Sequence, residues 1–201
     1  MNGGKRVTKP DDQRLLSNLR AGRHEACAEL VRSHYQTVYR FLVHLTGDVH
    51  QAEDLTQETF AAAWEKIASF EGRATLATWL HRIAYTRFID AHRAERRAAV
   101  MLERLSRPTV SPSDPLDTVI DDDESQRLYR SLHALDAPER TMLVLHYLQG
   151  LSYREMASVL DEPTGTVKWR TCEALNRLRA LLSDEVPAHE LRKTSELGPI
   201  S

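Results

Sequence analysis

The stretch Leu151–Arg179, "LSYREMASVLDEPTGTVKWRTCEALNRLR", decides the fold. Ser152 followed three residues later by Glu155 has the spacing at which a helix cap and its return bond meet, so a helix starts there. "DEPTG" turns the chain. Asp161 suits that turn because a short polar side chain tolerates unusual backbone angles. A second helix then runs to about Leu182, with Val167, Thr171, Ala174, Leu178 and Leu181 at spacings that keep them on one face. Two short helices joined by a few residues form a helix-turn-helix, and the small Ala157 allows them to approach closely. On the side away from the apolar face, a 3.6-residue period places Trp169, Cys172, Glu173 and Asn176. Lys168 and Arg179 lie on one flank, Arg170 and Arg177 on the other.

A helix with a mixed polar crest and basic flanks fits a DNA major groove. The cations would meet phosphates and the crest would reach base edges. Glu173 could accept from a cytosine amino group, Asn176 could pair with adenine, and Trp169 could touch a thymine methyl. Two bland readings stand beside this one: the helix is simply solvated, or Trp169 packs on a neighbouring protein domain.

Outward from there, "DAPER" opens a preceding helix, with Asp136 as cap and Pro138 in the first turn. That helix stops near Gly150. Leu128, Leu132 and Leu135 mark another before it. Further back, "SRPTVSPSDPLDTVIDDDE" (Ser106–Glu124) holds three prolines and a run of acids, and reads as a flexible linker over 105–124. From Asp11 to about Arg104 the pattern is helical almost throughout. Val31, Tyr35, Val38, Leu42 and Leu45 share one face. "TGD" (Thr46–Asp48) breaks that helix. Leu55, Thr59, Ala62, Ala63 and Ile67 line a second. "FEGRAT" is a loop. Leu76, Leu80 and Ile83 line a third helix, whose stripe rotates past Arg87 toward Ala84 and Phe88. The ends, 1–10 and 184–201, read as tails. No strand pattern or repeat stands out. The expectation is an all-α protein of two small helical domains, 11–104 and 125–183, joined by the linker, the second being a helix-turn-helix.

Charge segregates along this plan although the formal total is −2. Residues 24–72 carry three Lys/Arg and eight Asp/Glu, whereas 73–104 carry seven and three. A basic surface beside an acidic one suits several partners, one of them polyanionic. Arg82, Arg87, Arg93, Arg96 and Arg97 lie among Trp79, Tyr85 and Phe88, where rings beside arginines could stack on unpaired bases; most of these rings would serve equally well as core. Glu53, Asp54 and Glu58 share a helix with Phe60 and Trp64, which points to a protein partner rather than nucleic acid.

Other classes find little support. The two cysteines, Cys27 and Cys172, are far apart and form no C-x-x-C, so neither a disulfide framework nor a Cys-rich zinc site is indicated. No apolar run approaches the roughly 18 residues of a membrane span. "MNGGKRVTKP" has no apolar core after its charges and is not read as a secretory signal, so a cytoplasmic protein is expected. A helical metal-dependent hydrolase using His44, His50, His81 or His92 lacks any Glu-x-x-His or HExxH pattern. No catalytic residue, metal or cofactor is therefore expected. A stand-alone helix-turn-helix regulator lacks an evident sensor or dimerisation domain.

"AEDLTQETFAAAWEKI", "FEGRATLATWLHRIAYTRFIDAHRAERR" and "LSYREMASVLDEPTGTVKWRTCEALNRLR" resemble, in order and separation, the signature regions of bacterial sigma factors of the extracytoplasmic-function group. The likeness spans about residues 24–183. It implies a subunit that binds core RNA polymerase and directs transcription initiation at promoters. It further implies core contact through Asp54, Gln57, Glu58, Phe60 and Trp64. Recognition of the −10 element would use Phe70, Arg73, Trp79, Arg82, Thr86, Arg87 and Arg93. Recognition of the −35 element would use Thr164, Thr166, Lys168, Trp169, Arg170, Cys172, Glu173, Asn176, Arg177 and Arg179. An anti-sigma factor is an implied partner. Some positions depart from the family pattern: Thr86 stands where Asn is frequent, Trp169 where a small residue is, and Glu173 where a basic one is.

Overall fold

The computed structural model describes residues 10–105 and 123–184, all of whose regular structure is helical. The expected tails and most of the expected linker lie outside the described residues. The N-terminal unit has α1 (Pro10–Arg20), α2 (His24–Thr46), α3 (Val49–Lys66), a 3-10 turn (Ile67–Ser69) and α4 (Leu76–Leu105). The C-terminal unit has α5 (Asp123–Ala134), α6 (Ala137–Leu143), a π-helical turn (Val144–Leu148), α7 (Tyr153–Leu160) and α8 (Thr164–Asp184). α4 and α5 each reach inside the stretch read as linker, to Leu105 and from Asp123.

The "TGD" break works through two complementary caps. Gly47 ends α2 in the left-handed region at φ 75°, and its N–H donates to Val43 O at 2.9 Å. Asp48 then starts α3 by accepting from the N–H groups of His50 and Gln51 at 2.8 and 3.0 Å. The chain reverses in two residues, so α2 and α3 lie side by side. α3 presents small residues to its neighbours: Ala52, Thr56, Thr59, Ala62 and Ala63 are buried. The Thr56 and Thr59 hydroxyls bond back to the carbonyls of Ala52 and Leu55 at 2.6 and 2.7 Å. Buried hydroxyls are thereby satisfied within the helix. Phe41, Leu42 and Leu45 of α2 and Leu76, Leu80 and Ala84 of α4 fill the space between the helices, all fully buried.

Two stripes differ from the sequence expectation. Val31 is exposed, and its neighbour Leu30 is buried in its place. Leu128 is likewise exposed, while Tyr129 turns inward beside Leu132. Both shifts are one residue, less than a third of a turn, and follow which side the packed neighbour occupies. The π turn was not anticipated. Gln149 N–H donates to Val144 O at 2.9 Å, and Leu151 N–H to Leu145 O at 3.0 Å. The widened turn leaves Tyr147 and Leu148 at the surface.

Candidate nucleic-acid and polymerase interfaces

The helix-turn-helix forms by the local rules read from its sequence. Ser152 Oγ accepts from Glu155 N–H, and Glu155 Oε2 accepts from Ser152 N–H at 2.9 Å, so two free donors of α7 are satisfied reciprocally. Asp161 ends α7 at φ 59°, ψ 39°, the only left-handed residue other than glycine among the described residues. α8 then buries Val167, Thr171, Ala174 and Leu178. Thr164, Thr166, Lys168, Trp169, Cys172, Glu173, Asn176, Arg177 and Arg179 are exposed, with Trp169 at 64 %. An indole left this open on a helix whose other face is sealed is not part of the core.

The flanking cations divide into two kinds. Arg170 is half-buried and pairs with Glu162 of the turn. Arg177 pairs with Glu139 of α6 at 2.6 Å, and that carboxylate holds the guanidinium pKa above its ordinary value. Both tie α8 to the rest of the unit. Lys168 and Arg179 are exposed on the opposite flank.

α4 carries the second candidate surface. Thr75 caps it, accepting from Thr78 N–H at 3.1 Å. Phe70 is buried and its ring lies 4.9 Å from that of Trp79. Arg20 of α1 donates to Phe70 O, which pins the loop before α4. Arg73 is exposed and pairs with Glu71 at 2.5 Å. Thr86 is exposed, with its hydroxyl bonded to Arg82 O at 2.9 Å. Arg87 is half-buried and Arg93 exposed. Trp79, Arg82, Thr86 and Arg87 line one groove together with Lys66 and Asp90. Of the rings on this helix, Phe88 is core, while Trp79 and Tyr85 are half-buried. Burial, then Glu162, raises the Tyr85 pKa above its ordinary value.

On α3, Asp54, Gln57 and Glu58 are exposed, Trp64 is 40 % exposed, and Phe60 is half-buried with its ring stacked 6.3 Å from Tyr35. The five residues share one helix whose opposite side is buried against α2 and α4. Among the described residues no three His, Cys, Asp or Glu side chains converge on a possible metal position. No described helix is long and apolar enough to cross a membrane.

The two units also touch, which nothing in the sequence announced. Arg140 of α6 donates to Leu45 O at the end of α2 at 2.5 Å and to His133 Nδ1 at 2.8 Å. It thereby satisfies one of the carbonyls that every helix end leaves free. A Cβ on Gly47 would stand 2.9 Å from His133 Cε1, so the close approach itself requires glycine. Burial, the Arg140 guanidinium and His44 push His133 down to about 3. His81 of α4 is buried and lies 3.4 Å from Gln149 Oε1, and burial lowers its pKa too.

Comparison with known proteins agrees with this geometry. Residues 30–98 match the family model "Sigma-70 region 2", and residues 125–178 match "Sigma-70, region 4". The chain is 30 % identical to the ECF RNA polymerase sigma factor SigW of Bacillus subtilis, over 86 % of this chain and 97 % of that protein. It is 33 % identical to the ECF RNA polymerase sigma factor RpoE of Cereibacter sphaeroides, over 84 % and 93 %. Among solved structures it resembles CnrH in complex with the cytosolic domain of CnrY, with TM-score 0.64, 25 % identity, and 87 % and 98 % of the two chains covered. It also resembles Bartonella quintana RpoE in complex with the anti-sigma factor NepR, with TM-score 0.57, 27 % identity, and 87 % and 96 % covered. A helical module with a basic face, followed by a helix-turn-helix with an open reading helix, defines a promoter-directing subunit. The chain belongs to the sigma-70 family of RNA polymerase sigma factors, in its extracytoplasmic-function group. It binds core RNA polymerase and directs it to promoters.

Proposed function

We propose the following division of labour among its residues. Unit 11–104 docks on the polymerase through Asp54, Gln57, Glu58, Phe60 and Trp64 of α3. The same unit meets the −10 element through Arg73, Trp79, Arg82, Thr86, Arg87 and Arg93, with buried Phe70 backing Trp79. Unit 125–183 places α8 in the −35 major groove. There Lys168 and Arg179 contact phosphates, and Thr164 and Thr166 approach the backbone at the helix N-terminus. Trp169, Cys172, Glu173 and Asn176 face base edges, with Glu173 suited to a cytosine amino group and Asn176 to adenine. Arg170 and Arg177, held by Glu162 and Glu139, set the angle at which α8 is presented.

The observation that carries this reading is the exposed Trp169–Glu173–Asn176 crest on a helix whose other side is sealed by Val167, Thr171 and Ala174. The chain works in the cytoplasm with the polymerase and performs no bond chemistry of its own. An anti-sigma factor is its inhibitor, a reading supported by the partner named in the RpoE–NepR structure.

The test is reconstitution. Purified chain and core polymerase should together start RNA synthesis at sites that core alone ignores, and mapping those starts gives the −10 and −35 sequences. No new start sites would overturn the reading.

A further inference from the structure

The surfaces assigned to the two promoter elements are in contact with each other. Arg82 of α4 donates to Ser158 O of α7 at 3.2 Å and pairs with Asp161 of the turn at 3.1 Å. Between the units lies a cavity of about 580 Å³. Arg73, Trp79 and Arg82 line it from one side, and Arg154, Asp161 and Thr164 from the other. Elements centred at −10 and −35 are about 25 base pairs apart, roughly 85 Å along B-form DNA. Residues 3.1 Å apart therefore cannot serve both elements in this arrangement.

We propose that this is a self-inhibited form in which the helix-turn-helix covers the −10 surface of α4. The Asp161 carboxylate occupies Arg82 where a promoter phosphate would otherwise sit. The proposal rests on the −10 role given to Arg82 above. Three further observations support it. The docking face of α3 stays uncovered, so the closed form can still meet the polymerase. The closed form has a second clasp, from Arg140 to Leu45 O, with His133 against Gly47. The 17 residues 106–122 could span about 60 Å if extended, enough tether for the units to part.

The Arg82–Asp161 pair is largely exposed, at 47 % and 80 %, so its own contribution is modest, a factor of about five at most. The probe is a fluorescein-labelled single strand carrying the −10 segment of a promoter recovered by start mapping, titrated with the full chain by anisotropy. Asp161→Asn removes the charge, and Asn tolerates the left-handed turn. It should tighten binding by about two- to fivefold. Arg82→Ala should weaken binding. In the Arg82→Ala background, Asp161→Asn should bring no gain, because the side chain that Asp161 occupies is gone. An unchanged affinity for Asp161→Asn, or the same gain without Arg82, would overturn self-inhibition while leaving the −10 role intact. If Arg82→Ala alone changed nothing, the −10 assignment itself would fall, and the proposal with it.

Discussion

α3 and α4 are neighbours of similar build, yet their outer faces are in opposite states. The α3 face is acidic with Phe60 and Trp64, and nothing in the molecule covers it. The α4 face is basic with Trp79 and Tyr85, and α7 and the turn lie against it. An acidic patch repels other acidic segments of the same chain. A basic patch attracts them, and Asp161 and Glu162 stand at its edge. The difference teaches that a surface built to hold a polyanion is also prone to be held by its own chain, whereas an acidic docking face stays available. An encounter with polymerase needs no rearrangement of the protein; an encounter with promoter DNA does.

The strongest way to break this comparison is to remove what both faces share. Leu80 is fully buried beneath α4. Leu80→Ala should lower unfolding free energy by about 2–5 kcal/mol in denaturant titrations. Polymerase binding and DNA binding should then fall together. Trp64→Ala separates the faces. It should weaken binding to core by roughly thirtyfold, the scale of a buried aromatic anchor, in a pull-down or interferometry titration. It should leave unfolding within about 0.5 kcal/mol of the parent, as surface changes do. Loss of stability on that scale without loss of core binding would show that Trp64 is packing rather than interface.

Acid should act at the boundary between the units and leave the open face alone. His133 is faced by Arg140, His44, Tyr129 and, on Arg140's far side, Asp136; Arg40 faces His44. Its pKa is lowered from 6.5 to about 3, so the native protein keeps it neutral while the unfolded chain takes up a proton below pH 6.5. Native stability is therefore full above that pH and is lost as pH falls toward 3. From pH 7.5 to 5.5, His133 alone should remove about 1.4 kcal/mol, and His44 and His81, also lowered, add in the same direction. Denaturant titrations at the two pH values check this, and His133→Asn should flatten the difference.

The smallest effect sharpens the division within α8. Lys168→Ala should reduce the slope of log affinity against log salt by up to roughly 0.9 for one lost phosphate contact. Arg170→Ala should leave that slope alone and lower stability slightly, because its charge already faces Glu162. Equal slope changes for both would mean that Arg170 leaves Glu162 to bind DNA.

Much of this molecule was legible in its residues because the signals are local. The cap at Ser152, the cap at Asp136, the break at Gly47–Asp48 and the sealed side of α8 each depend on residues within a turn or two. The period of the helix does the rest, missing by one residue at Val31 and Leu128. The site residues were also legible as exposed sets on α3, α4 and α8. Which of their charges are engaged was not. Arg82 with Asp161, Arg177 with Glu139 and Arg140 with Leu45 O join residues far apart in sequence. No spacing rule connects them, and any nearby acid would have looked as good a partner. The π turn at Val144–Leu148 was illegible for a related reason. An extra residue in a turn leaves composition unchanged and shifts only which side chains reach the core.

By itself, then, the order of residues determined the helices, their caps, the reading face of α8 and the alternation of acidic and basic surfaces. Those follow from backbone hydrogen bonding and a fixed 3.6-residue period, both of which act over a few residues. Only the tertiary structure decided which arginines remain open and which surface lies covered. Ion pairing depends on distance in space, and that distance is set by how two separately packed units come to rest against each other.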